Sequence, residues 1–214
     1  MVHMELKFRP LRAEEIEVRV ARCTAKGAQF LLYKDARCDQ NVLDETVGPL
    51  NWQRKHAENK GNLFCSVGIR NDQTGEWIWK EDCGTESNTE KEKGEASDSF
   101  KRACFNWGIG RELYTKIFIW VGGVTKEVER GGRKTYELAD PYDRFKVTSI
   151  VTDPEAKKIL SLEISGKAGV AFRWDGNLTC CKCGKGITKE IYEKSIAANG
   201  KPYCSGKCRD ADKN

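Results

Sequence analysis

The sequence predicts an α+β protein: an antiparallel β-meander packed by one long helix, followed by a small cysteine-rich module. Three observations carry this prediction. Residues 89–114, TEKEKGEASDSFKRACFNWGIGRELY, repeat apolar side chains at helical spacing. The segments before them alternate apolar and polar positions around polar turns, the pattern of half-buried strands. Five of the ten cysteines crowd into residues 180–214, a bias that favours metal binding over scattered structural thiols.

Taken in order, residues 16–34, IEVRVARCTAKGAQFLLYK, alternate about Lys26-Gly27 and read as a β-hairpin. Residues 35–47 read as a short helix, with Asp35 able to cap its start and Gly48-Pro49 closing it. Its Asp39, Asp44 and Glu45 have no partner histidine and no catalytic spacing, so they read as a solvated face. Strands follow at 52–58, 63–70 and 76–83, with the polar turn 71–75 between the last two. Trp77 and Trp79 share a face by the two-residue period, which predicts core packing for both.

The long helix starts at a Thr-x-x-Glu capping box, Thr89 to Glu92. Ala96, Phe100, Ala103, Cys104 and Trp107 form its apolar stripe. Lys101 and Arg102 project from the other side near Asp98, with Phe105 amid that polar face, where burial within one subunit would not put it. Gly108 and Gly110 end the helix, and Arg111 lies just beyond.

Beyond Tyr114, KIFIWVGG reads as a strand, and Gly122-Gly123 with Gly131-Gly132 bracket a hairpin arm containing TKEVER. Residues 145–151 and 159–165 predict a last strand pair. Residues 166–177 carry three glycines and fit either a flexible linker or an edge strand. The expected division is therefore a main domain over 1–166, a linker over 167–179 and a module over 180–214.

The net charge of +5 is mild, and residues 167–214 supply all of it, with ten Lys and Arg against five Asp and Glu. The main domain is neutral on average, so any polyanion surface there must arise from local clustering. No apolar run approaches the roughly 18 residues of a bilayer span, and the N-terminus has no signal-peptide pattern. Both predict a protein of the cytosol, where Cys23, Cys38, Cys65, Cys83 and Cys104 would stay reduced. The only histidines, His3 and His56, are isolated, and no phosphate-binding glycine loop precedes Lys-Ser or Lys-Thr. Nothing here points to an enzyme.

Cys180-x-x-Cys183 and Cys204-x-x-x-Cys208 present two thiolate pairs at distances suited to tetrahedral zinc. The module is thus expected to be zinc-ribbon-like, closed by four sulfurs and structural. Cys181 competes with Cys180 as the first ligand. Lys182, Lys185, Lys189, Lys194, Lys201, Lys207 and Arg209 give the module a cationic surface suited equally to DNA or to a protein.

GEASDSFKRACFNWGIGRELY resembles the helix-and-turn signature of the Rad fifty-two/Rad twenty-two family of single-strand annealing proteins, in particular its phage-type, Sak-like branch. The segment YKDARCDQNVLDETVGPLNW fits the family pattern as well, and the match is dense over residues 33–114. The resemblance implies a β-β-β-α annealing core that binds single-stranded DNA and pairs complementary strands without ATP in homologous recombination or break repair. It also implies ring or filament homo-oligomers, and partners such as single-strand-binding protein and other recombination factors. A phage or prophage product acting in a bacterial cytoplasm would fit. Carried onto this chain, the DNA groove would be formed by Arg37, Lys101 and Arg102, with Lys93, Arg54 and Lys55 at its margins. Human-type members have a further basic residue one turn past the Lys-Arg pair; this chain has Phe105, to stack on bases or fill a subunit contact. A zinc-tailed single-strand binder or regulator without annealing activity is the competing expectation.

Overall fold

The computed structural model describes residues 6–85, 91–176 and 178–212, with the side chains of 91–93 outside the description. Its elements begin with β1 (Glu17–Thr24), β2 (Gly27–Tyr33), α1 (Ala36–Val47), β3 (Trp52–Asn59), β4 (Asn62–Arg70), β5 (Trp77–Cys83) and α2 (Lys91–Trp107). There follow a 3-10 turn (Arg111–Tyr114), β6 (Ile119–Gly122), β7 (Thr125–Arg130), β8 (Arg133–Leu138), β9 (Lys146–Asp153), β10 (Lys158–Gly166), β11 (Gly169–Trp174), α3 (Lys189–Asn199) and α4 (Gly206–Asp210). The class is α+β with antiparallel pairing throughout the registered strands. Among the described residues, no helix is long and apolar enough to cross a membrane.

Contacts gather the chain into two compact units, Met1–Glu17 with Tyr33–Tyr114 and Val18–Leu32 with Thr115–Asn214. This differs from the expected order of domain, linker and module. The hairpin of β1 and β2 joins the C-terminal half because its strands pair into that half's sheet. Six of the thirteen residues of the expected linker, 167–179, form strand β11, held antiparallel on β10.

In the first unit β3, β4 and β5 form a three-stranded sheet. Asn71 sets the β4–β5 turn, its side-chain oxygen accepting the Gln73 and Thr74 N–H groups at 2.9 and 3.3 Å. Alternation along β4 sends Cys65, Val67 and Ile69, all buried, to one face, and there α2 packs. Phe100 is fully buried against Trp52, ring centroids 6.1 Å apart, and the Trp107 indole N–H donates to Val67 O at 2.9 Å. The capping box expected at Thr89 and Glu92 lies outside the described residues.

Trp77 and Trp79 do not meet this core. Their partners across the ladder are Arg70 and Gly68, whose side of β4 is opposite that of Val67. The expected core packing is therefore corrected: both indoles are half-buried on the far face, Trp79 lying over Gly68 with the Lys55 ammonium 4.4 Å from its ring.

Helix α1 starts as expected, Asp35 accepting the Cys38 N–H at 2.8 Å. Its acidic residues are not one solvated face. Asp39 is fully buried against Lys34, Asp44 accepts the Trp52 indole N–H at 2.6 Å, and Glu45 takes the Arg9 guanidinium at 2.6 Å.

The second unit is built on a six-stranded sheet in the order β11-β10-β9-β1-β2-β6, with its outer strands β11 and β6 close enough to touch, so the sheet curls. Phe30, Ile119, Phe145, Val147, Leu162 and Ile164 are buried, and the Phe30 and Phe145 rings meet at 4.5 Å. The arm β7–β8 carries a ladder of ion pairs, among them Arg130–Glu137 at 2.8 Å and Lys134–Glu127 at 2.9 Å.

Candidate metal centre and candidate nucleic-acid interface

Two local devices assemble the cysteine cluster. After Leu178 the chain makes a tight knuckle in which Gly184 N–H donates to Cys180 O at 2.9 Å and Cys180 N–H to Lys185 O at 2.8 Å. Gly184 closes it at φ +70, a conformation that a residue with a side chain rarely adopts. On the other side Ser205 caps α4 by accepting the Cys208 N–H, which turns Cys208 back toward Cys204. The result brings the sulfurs of Cys180, Cys183, Cys204 and Cys208 within 4.8 Å of one another. Cys183 and Cys204 are 3.6 Å apart and Cys204 and Cys208 3.5 Å. A tetrahedral ion with metal–sulfur bonds of about 2.3 Å needs sulfur separations near ~3.8 Å. The donor set fits a metal ion, and it is Cys180, not the exposed Cys181, that joins it.

The Cys180 thiol is held down to about 6, chiefly by the Cys183 N–H, with those of Cys204 and Lys182 adding to it against burial. Cys208 is pushed up to about 12, chiefly by its hydrogen bonding with the Cys204 and Cys183 sulfurs, with burial adding to it. Of the two, Cys180 is therefore the readier thiolate, and a bound cation would draw the proton off Cys208. Burial keeps Cys38 and Cys65 protonated, near 12 and 11. The module is anchored within its unit: Leu178, Cys180 and Ile187 pack with Val151 of β9, Leu160 of β10 and Tyr192 of α3. The Lys189 ammonium also donates to Ser149 Oγ.

The second candidate surface is the solvent side of α2. Lys101 lies 3.9 Å from Asp98, and its charge also reaches Asp39 of α1. Arg102 is half-exposed and donates from Nε to Asp82 Oδ1 of β5 at 3.1 Å, which raises its pKa. The pair thus straddles the outer face, one cation toward α1 and the other toward β5. Arg37 is exposed, and at two residues from Asp39 it lies about 200° round α1 on the solvent side. No described ion pair or hydrogen bond holds it.

The expected margin does not assemble as one line. Arg54 and Lys55 are adjacent on β3 and so point to opposite faces. The Arg54 guanidinium stacks 4.7 Å from Phe100 on the α2 side, whereas Lys55 covers Trp79 on the other. Lys93 belongs to α2, but its side chain is outside the described residues. Phe105 is half-covered, with the Tyr114 ring at 4.4 Å and the Arg111 guanidinium at 5.6 Å. It is a pedestal, and Tyr114, which sequence reasoning passed over, is the exposed ring of the pair at 68 %. Only the aromatic letter nine residues past Phe105 hinted at this.

No family model, curated protein or solved structure matches the chain.

Proposed function

We propose that this chain is a single-stranded DNA-binding and annealing protein that works without ATP in homologous recombination or double-strand break repair. The observation that carries the reading is the Lys101-Arg102 pair on the solvent side of α2, within a segment that resembles the family signature. The three-stranded sheet with α2 across one face supports its reading as the family's β-β-β-α core. Rings or filaments of many copies would give a continuous groove, acting in a bacterial cytoplasm as a phage or prophage product alongside single-strand-binding protein or other recombination factors.

Lys and Arg hold phosphates by charge and counterion release, which ignores sequence and leaves base edges free to pair. Annealing needs that combination, since contacts to base edges would occupy the atoms a second strand must find. The ion pairs of Arg102 with Asp82 and of Lys101 with Asp98 soften the cationic face. They favour the second reading, a zinc-tailed single-strand binder or regulator without annealing activity. We assign zinc to Cys180, Cys183, Cys204 and Cys208: with four sulfurs it would have no open position, and its contribution would be to fold the module.

The test replaces Lys101 and Arg102 together by alanine. With an unchanged circular dichroism spectrum, affinity for labelled oligo(dT) at low salt should fall at least about tenfold. The slope of log affinity on log salt should flatten by about 1.4, two contacts at about 0.7 each for single strands. Unchanged affinity and slope would remove this groove from the account.

A further inference from the structure

Tyr114 is exposed because the chain is built to present it. After α2 the backbone reverses through Gly108, Ile109 and Gly110. Ile109 is fully buried and its N–H donates to Cys104 O at 3.2 Å. Gly110 has φ +75, and a Cβ there would be strained and would meet Lys34 Cε at 2.5 Å, so glycine suits the reversal. The following 3-10 turn is pinned by Glu112, itself buried, whose Oε1 accepts the Leu11 N–H at 2.6 Å. Arg111 is fixed by donating to Phe105 O and Asn106 O, both at 2.8 Å, which caps the last carbonyls of α2.

With Arg111 and Glu112 tied down, Tyr114 rests its ring on Phe105 at an interplanar angle of 54° and leaves 68 % of its surface in water. Arg102, one turn before Phe105, lies within electrostatic reach of the Tyr114 hydroxyl. Arg102 and Arg111 thus stand beside an aromatic pair whose outer ring the fold holds up instead of burying. Cations flanking an exposed ring match a chain whose phosphates and base faces alternate.

We propose that Tyr114 is the base-stacking platform of this surface, taking a nucleobase of single-stranded DNA while Arg102 and Arg111 meet the neighbouring phosphates. The proposal rests on the single-strand reading above and adds to it a contact with the base, which the Lys-Arg pair alone does not supply. Stacking uses the π-face every base has, so the contact would not select sequence and would leave the pairing edge open.

The experiment compares binding of the full chain to oligo(dT) and to an abasic oligonucleotide of the same length, which keeps the phosphates and lacks the bases. The wild type should prefer oligo(dT) by roughly tenfold, the scale of one or two stacked bases. Tyr114→Ala should lose most of that preference with its affinity for the abasic strand unchanged, which also shows that the surface is still folded. Tyr114→Phe should keep the preference. An undiminished preference in Tyr114→Ala would overturn the proposal, as would a change only in oligomer mass, which would make Tyr114 a subunit contact. Failure of the wild type to bind either strand would instead overturn the single-strand reading itself.

Discussion

Asp39 shows what one buried carboxyl does to this fold. One of its oxygens takes the Lys34 ammonium, and the other, Oδ2, has no hydrogen-bond partner among the described residues. Loss of water dominates and moves its pKa up from 3.8 to about 6, with the Lys34 charge pulling the other way. Between those values the folded state binds more protons than the unfolded one. The stabilisation from this group is therefore fully present below about 4 and is lost as pH rises through about 6. Measured by urea denaturation, wild-type stability relative to Asp39→Asn should fall by up to about 3 kcal/mol across that window. A difference independent of pH would contradict the assignment. In the sequence this residue looked like part of a solvated helix face. Its burial depends on α2 packing over α1, a contact between segments about sixty residues apart, which the local letters do not encode.

Elements with local signals were legible. The Asp35 cap, the strands of the meander and the paired cysteines all rest on residues within a few positions of each other. The choice of sheet face was not: alternation correctly put Trp77 and Trp79 together, but which side α2 covers is decided by the apolar row Cys65, Val67 and Ile69 on the neighbouring strand. Phe105 was legible as a misfit on a polar face, while the ring that covers it arrives only after the reversal at Gly110. For the cysteine module, the two competing first ligands separate cleanly. Purified Cys181→Ser should keep one metal ion per chain by elemental analysis, because its thiol stands outside the cluster. Cys180→Ser should lose tight binding, and hydrogen exchange should then quicken in α3 and α4 while β10 stays protected. Metal loss from Cys181→Ser alone would reverse the assignment.

For the whole molecule, the division into two units bears on how the chain could work. The proposed single-strand surface, with Lys101, Arg102 and Tyr114, belongs entirely to the unit Met1–Glu17 with Tyr33–Tyr114. The cysteine cluster belongs to the other unit, where Leu178 and Ile187 bind it to the curled sheet. A metal ion held by these cysteines would brace its own unit. The interleaving of the β1–β2 hairpin with the C-terminal strands was beyond sequence reading, since it requires pairing across more than a hundred residues. The most direct test of the central claim mixes the full-length protein with two complementary labelled oligonucleotides in the absence of ATP and follows duplex formation in time. Annealing well above the spontaneous rate, unaltered by added ATP, is the predicted result; single-strand binding with duplex formation no faster than without protein would contradict it.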